Sequence, residues 1–252
     1  MRVNIIVIPP DIPWIAGRLA RELAKRLPQH DIDAIINGSK CDLEYHQIVY
    51  GEPGNHPAVG LFAHGKDRPV RFGSKYDGQI CMNPAMYQYL LEGEASRPIV
   101  IEQPVGDEFI SSRPIIFGVS GRIYADGRKG EHLVKEMVNA GYTVKAWGDG
   151  WPCESVGNNV ADLPAFYRSL DYYVDTSSDE GGCTPALECM AMGIPVISHT
   201  LGVDRPVLAY DTHDWISLNR VLYKLTHPRT YEDWAREHAA YFKSVLTRME
   251  KT

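Results

Sequence analysis

A glycine-rich segment at residues 121–130 combines three cations, Arg122, Arg128 and Lys129, between an apolar run and an amphipathic stretch. A turn between a strand and a helix can present such cations, together with backbone N–H groups, to a diphosphate. The chain has neither the Gly-x-x-x-x-Gly-Lys-Ser/Thr pattern nor Gly-x-Gly-x-x-Gly. By itself, the segment fits a phosphate site and a solvated surface loop equally well.

A second segment, residues 179–188, places two carboxylates around a glycine pair. Thr184 is a predicted helix N-cap and Pro185 a predicted first helical residue, so Glu188 falls in the first two turns and Glu180 lies on the loop. Carboxylates can bind the vicinal hydroxyls of a ribose or a sugar, and glycine lets a backbone approach a ligand closely. The structural alternative is that these carboxylates only stabilise the helix dipole, by about 0.3–1 kcal/mol.

The elements that carry both segments alternate between strand and helix. Residues 3–8 form an apolar run typical of a buried parallel strand, and residues 15–27 repeat leucine or isoleucine every fourth position. Further strands are predicted at 32–36, 45–50, 58–63, 98–101, 115–119, 143–147, 172–174 and 195–198. Further helices are predicted at 84–91 with Asn83 as N-cap, after the 121–130 turn, at 163–170 with Asp162 as N-cap, and at 185–192, 214–226 and 231–249.

This alternation predicts an α/β protein with two Rossmann-like domains facing a cleft, because parallel strands need crossover helices. We predict a short acceptor-side domain at 1–112, a nucleotide-sugar-binding domain at 113–230 and a C-terminal helix at 231–252. The helix is expected to pack back on the first domain; the alternative is a protruding oligomerisation helix. Ligands of such sheets bind at the carboxyl ends of the strands.

Composition limits the function classes. The 252 residues include 44% hydrophobic residues, and 26 Lys+Arg against 32 Asp+Glu give a net charge of −6. This excludes a disordered chain and disfavours a protein that coats nucleic acid. The apolar runs are far shorter than the roughly 20 residues of a membrane span, which predicts a soluble, cytoplasmic protein. Five cysteines without a Cys-x-x-Cys pair predict neither a disulfide scaffold nor a zinc module.

Residues 113–205 resemble the carboxyl-terminal half of retaining GT-B glycosyltransferases of the family 4 type, here with a reduced amino-terminal domain. Five pieces occur in the family's order: Gly121-Arg122; Lys129-Gly130; the turn Trp147-Gly148-Asp149-Gly150; the run Asp162-Leu163-Pro164-Ala165-Phe166-Tyr167; and Glu180 with Glu188, separated by seven residues and leading into Gly193-Ile194-Pro195.

The resemblance implies roles for these residues. Arg122 and Lys129 are similar to the pair that binds the donor diphosphate and neutralises the leaving group. Glu188 is similar to the residue that binds the ribose hydroxyls, and Glu180 to the one that contacts the donor sugar. The remaining substrate-binding positions that it implies are Gly121, Gly148, Asp149, Gly182, Cys183 and Thr184. Cys183 stands where the family has a glycine, and Gly182 where it has an aromatic residue.

The first half carries two further candidates. His64, at the end of a predicted strand, is similar in placement to a family histidine beside the donor sugar; a structural role fits it equally well. Gly17 lies in the first loop, where the family has a glycine pair. A dehydrogenase is excluded because Pro9-Pro10, and not a glycine fingerprint, follows the first strand.

The resemblance implies transfer of a hexose from a UDP- or GDP-sugar to an acceptor hydroxyl, with retention and without a metal in catalysis. The acceptor could be a saccharide, a lipid-linked sugar or a modified DNA base, the last disfavoured by the negative charge. The alternatives are a nucleotide-sugar epimerase of the same fold and a non-catalytic nucleotide-sugar binder. The oligomeric state stays open.

Overall fold

The computed structural model describes residues 1–7, 15–49, 52–54, 56–63, 67–178, 183–199 and 208–251. The chain forms two compact units, Met1–Ile110 together with Pro228–Thr252, and Ser111–His227. Within the described residues, each unit contains a six-stranded sheet in which every neighbouring pair is parallel. The predicted α/β fold with two Rossmann-like sheets is confirmed.

The sheet of the first unit has the strand order β2-β1-β3-β4-β5-β6. Its strands are β1 (Arg2–Ile6), β2 (Asp33–Ile36), β3 (Leu43–His46), β4 (Ala58–Phe62), β5 (Gly78–Cys81) and β6 (Ile99–Val100). Its helices are α1 (Ile15–Arg26), α2 (Asp67–Phe72), α3 (Pro84–Glu92) and α8 (Tyr231–Met249).

Local sequence explains the ends of several of these elements. The α1 helix buries Leu19 and Leu23 and gives way to a 3₁₀ turn at Leu27–His30, where Pro28 cannot continue the α-helical hydrogen bonds. Asn83 caps α3 as predicted, accepting a hydrogen bond from the Met86 N–H at 2.9 Å.

The C-terminal helix α8 belongs to the core of the first unit. Trp234 and Phe242 are buried in the same cluster as Ile5 of β1 and Tyr45 of β3. Burying a large apolar side chain contributes about 1.5–3 kcal/mol, so this helix is a major part of the unit's stability. The Tyr241 hydroxyl also accepts a hydrogen bond from a backbone N–H of β5 at 2.8 Å.

The sheet of the second unit has the order β12-β11-β10-β7-β8-β9. Numbered within the unit, this is the 6-5-4-1-2-3 arrangement of a doubly wound dinucleotide-binding fold. The strands are β7 (Ile116–Ser120), β8 (Thr143–Trp147), β9 (Glu154–Ser155), β10 (Tyr172–Val174), β11 (Val196–Ser198) and β12 (Leu208–Ala209). The helices are α4 (Glu131–Asn139), α5 (Leu163–Arg168), α6 (Thr184–Ala191) and α7 (Trp215–Thr226).

One predicted helix cap is at its predicted position and one is wrong. Asp162 is the N-cap residue of α5, but its side chain makes no capping hydrogen bond, because a 3₁₀ turn at Val160–Asp162 runs directly into the helix and already gives Asp162 a helical backbone. Helix α6 begins at Thr184, so Cys183 and not Thr184 is the N-cap residue. Proline is tolerated there at the second helical position because the first-turn N–H groups have no partner within the helix.

Four strands and one helix differ from the sequence prediction. Strand β3 lies at Leu43–His46 and not at 45–50, and strands β5, β9 and β12 and helix α2 were not predicted. Gly17, predicted in a loop, is a residue of α1 and is buried there with Ala16 and Ala20. No helix among the described residues combines the length and the apolar character that crossing a bilayer requires.

Candidate functional site

The second sheet reverses its strand order between β7 and β10, which are neighbours in space. In doubly wound sheets, ligands bind outside the carboxyl ends of the strands at such a switch point. Gly121 follows β7 there, and Asp175 follows β10. The first segment singled out in the sequence, residues 121–130, therefore begins at this edge of the sheet.

Two turns that contain glycine lie at this edge of the sheet. Gly121 and Gly148, which follow β7 and β8, have φ angles of 122° and 105°, a region that favours glycine. The Gly121 N–H donates to the Trp147 carbonyl at 3.0 Å, and the Trp151 indole donates to the Gly121 carbonyl at 3.0 Å. A Cβ atom on Gly148 would lie 2.6 Å from that same carbonyl oxygen. Only glycine fits at residue 148 without a shift of the backbone.

The 121–130 loop is attached to the loop that follows β10. The Thr176 hydroxyl donates to the Lys129 carbonyl at 2.6 Å, and the Ser178 N–H donates to the Arg128 carbonyl at 2.8 Å. Gly130, with φ of 71°, packs so closely that a Cβ atom there would lie 2.0 Å from the Thr176 carbonyl oxygen. The backbone of the cationic loop is thus held in place at the switch point.

The three cations of this loop have different surroundings. Arg128 lies over the Tyr124 ring at 3.9 Å and pairs with Asp126 at 3.9 Å. Arg122 is exposed and has no salt-bridge partner within the part of the chain that the structure describes. The Lys129 ammonium lies 3.7 Å from the position that a Cβ atom on Gly121 would occupy. Arg122 and Lys129 therefore place positive charge at the Gly121 turn.

A cavity of about 530 Å³ opens beside this turn. Its size is within the range of about 300–1,000 Å³ that small-molecule sites occupy. The lining residues come from the ends of β7 and β8, from the segment between β9 and α5, and from helices α5 and α6: Ser120, Gly121, Arg122, Ile123, Trp147, Gly148, Asp149, Asn158, Val160, Leu163, Tyr167 and Pro185.

Glu188 is linked to this cavity through Tyr167. The Tyr167 hydroxyl donates to Oε2 of Glu188 at 2.9 Å. Burial, and secondarily the hydrogen bond to the carboxylate, raise the pKa of Tyr167, so this hydroxyl stays a donor at neutral pH. Glu188 is exposed on α6, and its carboxylate is oriented by a buried residue.

The beginning of α6 carries the next two predicted residues. Cys183 is buried, and burial, the largest cause, raises the pKa of its thiol to about 11. This thiol is therefore protonated at neutral pH and packs as a small apolar group. Thr184 is exposed in the first turn of the helix.

Asp175 is a residue of this site that the sequence interpretation did not identify. It is buried, and its Oδ1 accepts hydrogen bonds from the hydroxyl and the N–H of Ser177, at 2.5 and 3.2 Å. Its Oδ2 accepts from the Ser198 hydroxyl at 3.1 Å, and its carbonyl from the Tyr210 hydroxyl at 2.7 Å. Asp175 thus fixes the loop after β10. A polar run directly after a strand was the available signal.

In the second unit, the structure places four of the predicted residues in the lining of the cavity: Gly121, Arg122, Gly148 and Asp149. Lys129 lies beside Gly121, Cys183 is the N-cap residue of α6, and Glu188 is on that helix. Thr184 begins the same helix. Gly17 lies in the first unit, on α1. His64, Glu180 and Gly182 lie outside the described residues.

No protein-family model matches the sequence, and no curated protein matches it. Among solved structures, the chain is similar to a sucrose-phosphate synthase from Thermosynechococcus elongatus, with 14% identity, a TM-score of 0.39 and coverage of 100% of this chain and 98% of that one. It is also similar to the lipopolysaccharide outer core galactosyltransferase WaaB, with 12% identity, a TM-score of 0.38 and coverage of 99% and 100%.

A third similar structure is the catalytic domain of cholesterol-alpha-glucosyltransferase from Helicobacter pylori, with 16% identity, a TM-score of 0.36 and coverage of 54% of this chain and 99% of that one. At these TM-scores the comparisons decide nothing about activity. The fold assignment rests on the order of the two sheets described above.

Proposed function

We propose that the chain is a retaining GT-B hexosyltransferase that uses a UDP- or GDP-sugar as its donor. One observation carries the proposal: Arg122 and Lys129 place two cations at the Gly121 turn, beside a cavity of about 530 Å³ at the switch point of a doubly wound sheet. A nucleoside diphosphate has the charge and the size to match both features.

The diphosphate would bind at the Gly121 turn. Negative charge grows on the leaving diphosphate as the bond to the sugar breaks, and cations held in place before the reaction stabilise that charge by several kcal/mol. The Thr176 hydroxyl holds the Lys129 backbone at the turn, so the lysine side chain starts from a fixed position before the donor binds. These cations would take the part that a metal ion takes elsewhere, and we propose that transfer needs no resident metal.

The nucleoside would bind in the cavity and reach Glu188. Tyr167 donates to one carboxylate oxygen, which leaves the second oxygen to accept hydrogen bonds from the vicinal hydroxyls of a ribose. We assign the donor sugar to Glu180 and His64, and the main-chain groups from Gly182 to Thr184 to the sugar or phosphate, as the resemblance implies. The acceptor is a saccharide, a lipid-linked sugar or a modified DNA base, and a net charge of −6 favours the first two.

The first test is calorimetric titration of the full chain with UDP, GDP and ADP and with their hexose conjugates. We expect one nucleotide diphosphate to bind, and Arg122→Ala and Lys129→Ala to weaken it at least about tenfold, the effect of losing a charge-assisted hydrogen bond. Arg220→Ala removes the same charge from an exposed position of α7 and should leave the affinity unchanged. Failure of all three nucleotides to bind contradicts the proposal.

The second test uses the donor so identified in an acceptor screen, with the anomeric configuration of the product read by NMR. Retention of configuration, and equal rates with and without added Mg²⁺ or Mn²⁺, are expected. Release of free nucleotide with an altered sugar, in the absence of any acceptor, would instead indicate an epimerase. Tight binding without turnover on any acceptor class would indicate a non-catalytic binder.

A further inference from the structure

Three side chains of types that commonly bind metals lie close together near the amino ends of the strands of the first sheet. Cys41 precedes β3, Glu44 is the second residue of β3, and His56 precedes β4. The thiol sulfur, a carboxylate oxygen and an imidazole nitrogen of these residues all lie within 4.8 Å of one another. The carboxyl ends of the strands, where Rossmann-like sheets bind their substrates, are at the opposite edge.

Strand pairing holds two of these residues together. The Glu44 N–H donates to the Pro57 carbonyl at 2.8 Å, and Glu44 is in register with Ala58. The pairing holds Pro57, the residue after His56, against the Glu44 backbone, and the side chains of His56 and Glu44 lie close together there. The Asp42 N–H donates to the Arg2 carbonyl at 2.9 Å, which attaches the residue after Cys41 to β1.

A fourth residue orients the carboxylate. His46 lies on the same face of β3 as Glu44, two positions further, and its Nε2 is 3.3 Å from Oε2 of Glu44. Metal-binding carboxylates in proteins are usually hydrogen-bonded to a second residue in this way, and loss of such a partner costs about 10–100-fold in affinity.

We propose that Cys41, Glu44 and His56 form a zinc site that stabilises the first unit, with His46 as a positioning residue for Glu44. A thiolate, an imidazole and a carboxylate together suit Zn²⁺ better than Ca²⁺ or Mg²⁺, which prefer oxygen ligands alone. The thiolate and the carboxylate carry two negative charges, which the ion neutralises. A water molecule can take the fourth position of the tetrahedron.

The three ligand atoms are close enough together to coordinate one zinc ion after a small movement. Metal–ligand bonds of about 2.0–2.3 Å place the ligand atoms of a tetrahedral zinc roughly 3.3–3.8 Å apart, so the cluster has to contract by about an ångström. The exposed His56 side chain can supply that movement by rotation, because neither strand has to shift. The site is separate from the nucleotide chemistry proposed above, and neither proposal depends on the other.

The test uses the full chain, stripped of metal and then titrated with Zn²⁺ and with Co²⁺ in competition with a chromophoric chelator. We expect one Zn²⁺ per chain and, for Co²⁺, the near-ultraviolet charge-transfer band that a thiolate ligand produces. Cys41→Ala should abolish the band and weaken Zn²⁺ binding at least 100-fold. Cys153→Ala, which removes another half-buried thiol, should change neither readout. His46→Ala should keep the band and weaken binding about 10–100-fold.

Two further variants keep the test decisive if Cys41→Ala does not fold. His56→Ala changes an exposed residue and Glu44→Gln preserves shape, and each should weaken Zn²⁺ binding at least tenfold. No stoichiometric Zn²⁺ binding, a Co²⁺ complex without the thiolate band, or wild-type affinity in the His56 variant would each overturn the proposal. Nucleotide binding, measured in parallel, reports separately on the second unit.

Discussion

Substitution of Gly130 by alanine should destabilise the second unit and weaken donor binding together. Gly130 has φ of 71°, and a Cβ atom there would lie 2.0 Å from the Thr176 carbonyl oxygen and 2.8 Å from its carbonyl carbon. Neither atom is the end of a flexible side chain, so the two loops have to move apart. Lys129 is the preceding residue, and its carbonyl would lose the hydrogen bond from Thr176.

Gly141→Ala is a matched control for this variant. Gly141 also has a left-handed backbone, with φ of 87°, but nothing lies within 4 Å of an added Cβ atom. Both variants incur the conformational cost of alanine in that region, about 1–2 kcal/mol. The clash at Gly130 should add about 2 kcal/mol more, the size of a typical overpacking penalty.

Thermal unfolding checks this difference. At about 2–4 °C per kcal/mol, Gly141→Ala should lower the Tm by roughly 2–8 °C and Gly130→Ala by about 4–8 °C more. Calorimetric titration with the donor nucleotide should show weaker binding for Gly130→Ala only. Equal Tm losses in the two variants would refute the described packing of Gly130 against Thr176. Unchanged affinity in Gly130→Ala would refute the role of Lys129.

Three other predictions concern the two units separately. Burial lowers the pKa of His238 to about 3, so the folded protein keeps this residue neutral while the unfolded chain binds a proton near pH 6.5. The free energy of unfolding should therefore decrease as the pH is lowered, by about 2 kcal/mol from pH 8 to pH 5 in urea unfolding. His238→Gln should remove most of this pH dependence and should lower the stability at every pH. Arg113, by its hydrogen bond, lowers the pKa of Asp171, so the stability that this carboxylate contributes is present above the ordinary value of 3.8 and is lost as pH falls through the lowered one. Asp171→Asn should accordingly be less stable than wild type at pH 7, with the difference closing in acid unfolding; a difference that does not shrink as the pH falls below 3.8 would contradict this. Tyr167→Phe should weaken nucleotide binding about three- to tenfold in calorimetry with a small change in Tm, and an unchanged Kd would separate Glu188 from ribose binding.

The sequence predicted well those elements in which the local pattern of apolar residues matches the residues that are buried. Strand β8 at Thr143–Trp147 and helix α8 at Tyr231–Met249 have the predicted bounds. Strand β5 contains only two apolar residues and is buried because α8 covers it. A Cβ atom added to Gly78 of this strand would lie only 2.8 Å from the Val245 side chain of α8. Such burial depends on a helix far away in the sequence. Strands β9 and β12 are two-residue edge strands, too short to show a pattern.

The same distinction separates the predicted from the unpredicted parts of the site. Gly121, Arg122 and Lys129 are close in sequence, so their combination was visible in one segment. The role of Asp175 was not visible in the sequence, because two of the three hydroxyls that bind it come from residues 23 and 35 positions further along the chain. The Cys41, Glu44 and His56 cluster likewise depends on the register of β3 and β4, which spacing does not reveal.

The site therefore divides into residues that hold the backbone and residues that supply charge. Arg122 is exposed and has no salt-bridge partner among the described residues, so its removal should change stability by less than about 0.5 kcal/mol. The same removal should weaken binding of the donor. Asp175 is buried, and its carboxylate accepts hydrogen bonds from the hydroxyls of Ser177 and Ser198. Loss of the carboxylate should cost about 1–3 kcal/mol for each hydroxyl that is left unpaired. Because the two sets barely overlap, donor specificity can change at the exposed cations without loss of the fold that positions them.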